Sequence, residues 1–468
     1  MAHILDQPLV RVAHALRRGT VSSSELVEEA VARHERRGPI LHAYKHFDPE
    51  GARGAAAEAD RILASGGEPP PLCGIPISVK DLFGVQGLPT FAGTPRRLPE
   101  RWERDGWLVA RLRGQGAVLV GKTHTVELAY GGIGVNPHWG TPRNPWDADV
   151  HRVPGGSSAG AGVSLWEGSA LVALGTDTGG SIRIPATMTG VVGHKTTKGR
   201  WSTEGVVPLS STLDTVGALT RSVADAVFFF GAVDPGLGEP AAFLRDLVAG
   251  GGAVRMVVPR CGIWADCPSD MGDVLARALD ELVAAGWDAA EVDGRLLDDA
   301  VELYGNGGIA GVECRAFLER ELPGWLDILH PIVGKRIESA ARHSAAGYED
   351  ALLQRRRLEA AAEGLFGGAD VLALPTGIIT PPTVAEVGDM ERYVERNAAA
   401  LRPTCAVNTL GLCALTLPVG RDGAGMPVGL QLVARGGADE GLLRAALSAE
   451  RVLGTAVERM GPPPAVPS

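Results

Sequence analysis

The chain has 468 residues, 45% of them apolar and 21% charged, a balance that suits a globular, core-forming protein. A net charge of -10 gives no electrostatic footprint for nucleic acid or an anionic membrane, so neither is expected as a partner. No apolar run reaches the roughly 20 residues a membrane helix needs, and the opening "MAHILDQPLVRVAHALRRG" lacks a basic start followed by an apolar stretch.

The first segment, residues 1–66, reads as helices. "VSSSELVEEAVARHERRG" carries a capping box, Ser22 with Glu25, and Gly38 stands near its expected end. A further helix is expected over about 51–65, broken by "SGGEPPP". From Leu72 the pattern changes. Short apolar runs alternate with helical segments: "GIPISV", "AVLVG", "ALVALGTD", "VRMVVP", "DVLALP", "CALTLPV" and "VGLQLVA". This alternation predicts an α/β fold, a sheet flanked by helices. The stretch 265–365 is mostly helical and richer in charge, and the tail "GPPPAVPS", 461–468, is expected to be loose. The six cysteines form no C-x-x-C pair and have no His cluster beside them. Free thiols, with no secretion signal, place the chain in the cytoplasm.

Two stretches carry chemistry. In "CGIPISVKDLFGV", residues 73–85, Ile75, Ile77 and Val79 read as a buried strand, and Lys80 arrives at its end. A lysine there either snorkels to water or is held neutral for use as a base. Asp81 alternates to the other side of the strand and is not counted as its counter-ion. The second stretch is "VPGGSSAGAGVSLWEGSALVALGTDTGGSIRIPA", residues 153–186, with two glycine-serine corners, Gly155-Gly156-Ser157-Ser158 and Thr178-Gly179-Gly180-Ser181. Backbone N–H groups at such corners can converge on one spot, as in an oxyanion hole. Ser181 also suits the N-cap of a helix at "IRIPA". Gly156-Ser157-Ser158-Ala159-Gly160 matches the G-x-S-x-G nucleophile elbow, which would make Ser158 the nucleophile. That motif needs a strand immediately before it. "NPWDADVHRVPGG" has no strand-like run, so the elbow is rejected.

"GIPISVKD", "GGSSAG" and "GTDTGGSIRIPA", in that order, resemble the amidase signature family. "GTPRNPWD", "LDTVGALTRSVADA" and "MPVGLQLVA" are similar to it as well. The resemblance covers roughly residues 60–460 and implies a mixed β-sheet core sandwiched by α-helices, with residues 67–460 as the amidase signature domain and about 265–400 as its variable, largely helical part. It implies a Ser-Ser-Lys triad: Ser181 as nucleophile, Ser157 as the bridging serine on a cis peptide bond, and Lys80 as base. The backbone of Thr178, Gly179, Gly180 and Ser181 would form the oxyanion hole. Ser158, Asp177 and Arg183 would support the loop. A serine hydroxyl is a poor nucleophile until a base takes its proton, and a desolvated lysine can be that base.

By the same resemblance, "AYGGIGVNPHWGTPRNP", residues 129–145, lines the acyl pocket, with Tyr130, Gly131 and Gly132 as substrate neighbours; Trp139 and Trp201 are candidates to border a pocket. The chain departs from the family at "GHKTTKGRW", where His194 and Thr196 are unusual; His194 reads as structural. The implied activity is hydrolysis of a C–N amide bond in a small to medium substrate through an acyl-enzyme, with no metal or cofactor, and with esters or carbamates open as further substrates. Two alternatives stay open: the glutaminase component of a tRNA-dependent amidotransferase, and a catalytically silent binding module. A homodimer is a common outcome for such a chain.

Overall fold

A computed structural model describes residues 3–250 and 253–466. Eleven strands form one sheet: β1 (Tyr44–Phe47), β2 (Pro76–Lys80), β3 (Val118–Thr123), β4 (Val172–Asp177), β5 (Val192–Lys195), β6 (Thr215–Thr220), β7 (Arg255–Arg260), β8 (Asp288–Asp293), β9 (Val371–Pro375), β10 (Cys413–Arg421) and β11 (Pro427–Ala434). Their order across the sheet is β1-β3-β2-β4-β6-β5-β10-β11-β9-β7-β8. The sheet is mixed. β3, β2 and β4 run parallel, as do β9, β7 and β8, while the strands between them pair antiparallel. Helices cover it, as the alternation of apolar runs predicts.

β2, β3, β4, β5, β6, β9 and β11 have every side chain buried. For β2, β3, β4, β9 and β11 this is what near-continuous apolar runs mean inside an α/β sandwich. Four strands are not among the expected runs. β1 lies within the segment read as helices, on the sheet edge against β3. β5 and β6 pair with each other between the two parallel halves. β8 is the opposite edge, inside the stretch read as helical, and none of its residues is fully buried.

The first long helix, Ser23–Leu41, begins at the expected capping box, with Ser22 and Glu25 bonding reciprocally. It does not stop at Gly38. It continues through Pro39 and ends at His42, whose left-handed backbone (φ 55°) closes the last turn by donating to the Gly38 carbonyl. Residues 467–468 of the expected loose tail lie outside the described residues. Just before them, the Ala465 N–H donates to the Pro145 carbonyl at 3.0 Å and Val466 packs on the core. Among the described residues, no helix is long and apolar enough to cross a membrane.

The topology places the site. β2 and β4 are parallel neighbours, so Lys80 and Asp177, each the last residue of its strand, emerge at the same edge. Carboxyl ends of parallel strands are where loops of an α/β sheet assemble binding crevices.

Candidate active site

Lys80 is completely buried. Its Nζ lies 2.7 Å from Ser157 Oγ and 2.7 Å from Thr176 Oγ1, and among the described residues no carboxylate approaches within ion-pair distance. Burial pushes its pKa down to about 7, with Asp177 and Asp214 opposing that shift from farther away. The neighbouring Asp81 faces away and pairs with Lys122 at 3.0 Å, as the strand alternation requires. Ser157 follows a cis peptide bond, Gly156–Ser157. The Gly156 N–H donates to the Gly132 carbonyl at 2.8 Å and the Ser157 carbonyl accepts from Val126 at 3.1 Å, which fastens the corner to the neighbouring loop.

Ser158 joins the two serine corners. Its N–H and its Oγ both donate to the Ser181 carbonyl, at 3.3 and 2.5 Å. Residues 153–157 form no strand, and the next helix begins only at Ala161. Ser158 therefore lacks the strand–turn–helix setting of a nucleophile elbow. Ser181 precedes the helix Arg183–Thr189 without capping it, since Ile182 occupies the cap position and no side chain bonds there.

Asp177 organises the nucleophile loop. Its Oδ1 accepts from Gly180 N–H (2.8 Å), Asn408 Nδ2 (2.9 Å) and Arg183 Nη2 (3.0 Å), and its Oδ2 from Ile182 N–H and Arg183 Nε, both at 3.1 Å. Burial alone would raise this carboxyl, but Arg183, Lys195 and Asn408 outweigh it and hold the pKa at about 2. Arg183, also fully buried, reaches on to Gln431 Oε1 (3.0 Å), the Thr404 carbonyl (3.0 Å) and Asn408 Oδ1 (2.6 Å). The loop is thus clamped to the C-terminal half of the chain. Gly180 has φ 131°, and a Cβ there would lie 2.0 Å from Thr404 Oγ1; both facts demand glycine. A Cβ at Gly179 would lie 2.2 Å from the Tyr304 hydroxyl.

One expectation needs correction. The Gly180 N–H is donated to Asp177, so it is not free for an oxyanion. Among the described residues, the N–H groups of Thr178, Gly179 and Ser181 make no internal hydrogen bond, and they are the remaining donors. Thr178 is held by its Oγ1, which donates to Asp214 Oδ1 at 2.5 Å.

Ser181, Thr178 and Gly179 border a cavity of about 680 Å³. Of the three residues expected beside the substrate, Tyr130 and Gly131 line this cavity and Gly132 does not. Gly132 instead donates its N–H to Asn397 Oδ1 at 2.7 Å and accepts from Gly156, behind the wall. Trp139 and Trp201 are also absent from the lining: Trp139 packs against Phe91 and Lys45, and Trp201 stacks on Phe230 in the core. His194 is buried against Phe230, away from the cavity, and burial pushes its pKa down to about 4. The far wall comes from helices 295–342 and 390–409, including Tyr304, Arg336, Val394 and Arg402. These residues, with Thr176, Asp214, Asn408 and Gln431, are not singled out by the sequence. Thr176 has a local signal, one residue before Asp177 on β4; the others meet the site only through the fold.

The Amidase family matches residues 25–443. The 2-amino-5-chloromuconic acid deaminase of Comamonas testosteroni is 45% identical over 97% of this chain and 98% of its own length. An A-type component of the glutamyl-tRNA(Gln) amidotransferase, from Geobacter sp. (strain M21), is 34% identical over 96% of this chain and 97% of its own. A crystal structure of an amidase superposes with a TM-score of 0.83 at 33% identity, covering 96% of this chain and 100% of that one. The chain is a hydrolase and belongs to the amidase family.

Proposed function

We propose that the chain hydrolyses a C–N bond of a small substrate through a Ser-Ser-Lys triad and an acyl-enzyme on Ser181. The observation that carries the reading is a fully buried lysine, 2.7 Å from Ser157 Oγ, with a pKa near 7. As an ammonium, Lys80 donates to both Ser157 and Thr176. Once neutral, its lone pair can take the Ser157 proton while Thr176 keeps the amine oriented. Ser157 takes the proton of Ser181 as Oγ of Ser181 bonds to the carbonyl carbon. The oxyanion that forms is met by the free N–H groups of Thr178, Gly179 and Ser181. Collapse breaks the C–N bond, and the proton returns from Lys80 through Ser157 to the departing amine. Water then repeats the sequence, its proton passing to Lys80, and Ser181 leaves protonated with the acid released. Each free donor is worth ~3–4 kcal/mol to such a transition state.

The similarity to a named deaminase, higher than that to the amidotransferase component, supports a free-standing hydrolase that releases ammonia or an amine over a glutaminase that works within a complex. The free thiols suit a reducing compartment, and we place the protein in the cytoplasm. The test is a panel of glutamine, an aliphatic amide, an anilide, a p-nitrophenyl ester and an aryl carbamate, with Ser181→Ala beside the wild type. Turnover of an amide or anilide that disappears in the mutant is the expected result. Activity on glutamine alone would favour the amidotransferase reading, and equal turnover by both proteins would overturn the assignment of Ser181.

A further inference from the structure

The cavity differs in charge from the rest of the protein. The chain carries a net charge of -10, yet among the described residues no Asp or Glu lines the cavity, while Arg336, Arg342 and Arg402 do. Arg402 is neutralised by Asp266. The other two are not neutralised. Arg336 donates one N–H to the Tyr130 carbonyl at 2.7 Å and sits 4.2 Å over the Tyr130 ring. No carboxylate lies within ion-pair distance of it, among the described residues. Arg342, exposed at the same wall, has neither a hydrogen bond nor an ion pair among the described residues. Both thus bring positive charge to the cavity with no carboxylate beside it, and a guanidinium fork suits a carboxylate bidentately. Tyr130 holds Arg336 by one nitrogen and one ring face, so the fork is oriented before any ligand arrives.

We propose that Arg336, assisted by Arg342, binds a carboxylate of the substrate, so that the enzyme acts on a small carboxylic acid whose cleavable C–N group reaches Ser181 in the same cavity. This rests on the cavity being the site that presents substrate to Ser181. The 45% identical relative is named for a substrate that is itself an acid, which agrees with this chemistry without locating it. Gly179, with the Tyr304 hydroxyl beside it, then borders the reacting group, and the apolar Val301, Leu401 and Ala398 line the same cavity for the carbon chain.

The test separates charge from shape. Adipate and its uncharged diamide, adipamide, have the same carbon chain. Their affinities for the full chain bearing Ser181→Ala are measured by calorimetry, then with Arg336→Gln, Arg336→Lys or Arg342→Gln added. Adipate is expected to bind more tightly than adipamide, and the preference to fall about tenfold or more in Arg336→Gln and severalfold in Arg342→Gln, with partial retention in Arg336→Lys. A merely structural role for Arg336 would weaken both probes in parallel, and that result overturns the proposal, as does the absence of any preference for the dianion. The exposed Arg342 gives a second reading should Arg336→Gln disturb Tyr130. The reaction and the subsite fail separately. A wild-type chain that cleaves no C–N bond but binds adipate through Arg336 loses the first and keeps the second. Ser181-dependent turnover of adipamide and of adipic acid monoamide with equal kcat/KM does the reverse.

Discussion

The two sides of the cavity are built differently. On the sheet side, behind the wall formed by Thr178, Gly179 and Ser181, Lys80, Ser157, Ser158, Asp177 and Arg183 are all completely buried, and each is hydrogen-bonded. On the helical side, Tyr304 and Arg336 are half-buried, Val394 is 48% exposed, and bonds are few. The difference teaches a division of labour. The groups to which we assign proton transfer are fixed by several buried partners, so that their pKa values and positions are set by the fold. The groups to which we assign substrate contact have fewer partners, so that substitution there changes fit without disturbing the core. Substitutions on the sheet side should therefore act on kcat and stability, and those on the helical side on KM.

Ser181→Ala is the largest expected effect. It should lower kcat roughly 10⁴-fold or more with little change in melting temperature, because a single oxygen is removed. Steady-state kinetics beside a thermal melt checks this. Lys80→Met follows, with a loss of roughly 10²–10⁴-fold, the span of a general base. The sign of its pH dependence is fixed by burial. The native pKa is about 7 and the ordinary value 10.5, so activity should rise with pH through about 7 as the amine becomes neutral. Stability follows the same pair of values. Between pH 7 and 10.5 the unfolded chain binds the extra proton, so the wild type gains stability as pH rises through that window. Below pH 7 the penalty is fully present, and Lys80→Met should there be more stable than wild type by ~2–4 kcal/mol. Denaturant melts at pH 6 and 9 measure it.

Asp177→Asn comes next. It leaves Arg183 buried without its countercharge, which should cost ~3–5 kcal/mol of stability. The loop it holds, Gly180 to Ile182, loses acceptors at the same time, so kcat should fall as well. At the small end, Val394→Ala should change stability by less than about 0.5 kcal/mol, since it is exposed and outside the hydrogen-bond network. Its effect should appear as a few-fold change in KM with kcat kept. If Val394→Ala instead lowered kcat and left KM alone, the division between the two sides would fail.

The same division explains what can be read from the sequence. Lys80 and the two serine corners announce themselves locally, by residue types that their surroundings do not otherwise require. The partners that tune them do not. Arg183 meets Asn408 and Gln431 across separations of 225 and 248 residues, and one sequence says nothing about such contacts. The helical wall is unreadable for a further reason. Its helices carry no distinctive motif, and only the fold brings Tyr304 and Arg336 to the cavity that Ser181 borders. The missed strands have their own causes. β1 and β8 are edge strands, the first only four residues long and the second almost wholly exposed, so they lack the apolar run that marks the interior ones. Gly180 shows the limit of motif reasoning in the site itself. Its place beside Ser181 suggests an oxyanion donor, but its N–H is spoken for by Asp177.

The central claim is that buried Lys80 activates Ser181 through Ser157. The most direct test is the rate of covalent labelling by a fluorophosphonate, followed across pH, with the modified residue located by peptide mass spectrometry. The account predicts modification of Ser181 alone, at a rate that rises through about pH 7 and is lost in both Lys80→Met and Ser157→Ala. Modification of another residue, or unchanged labelling of Ser181 in Lys80→Met, would contradict it.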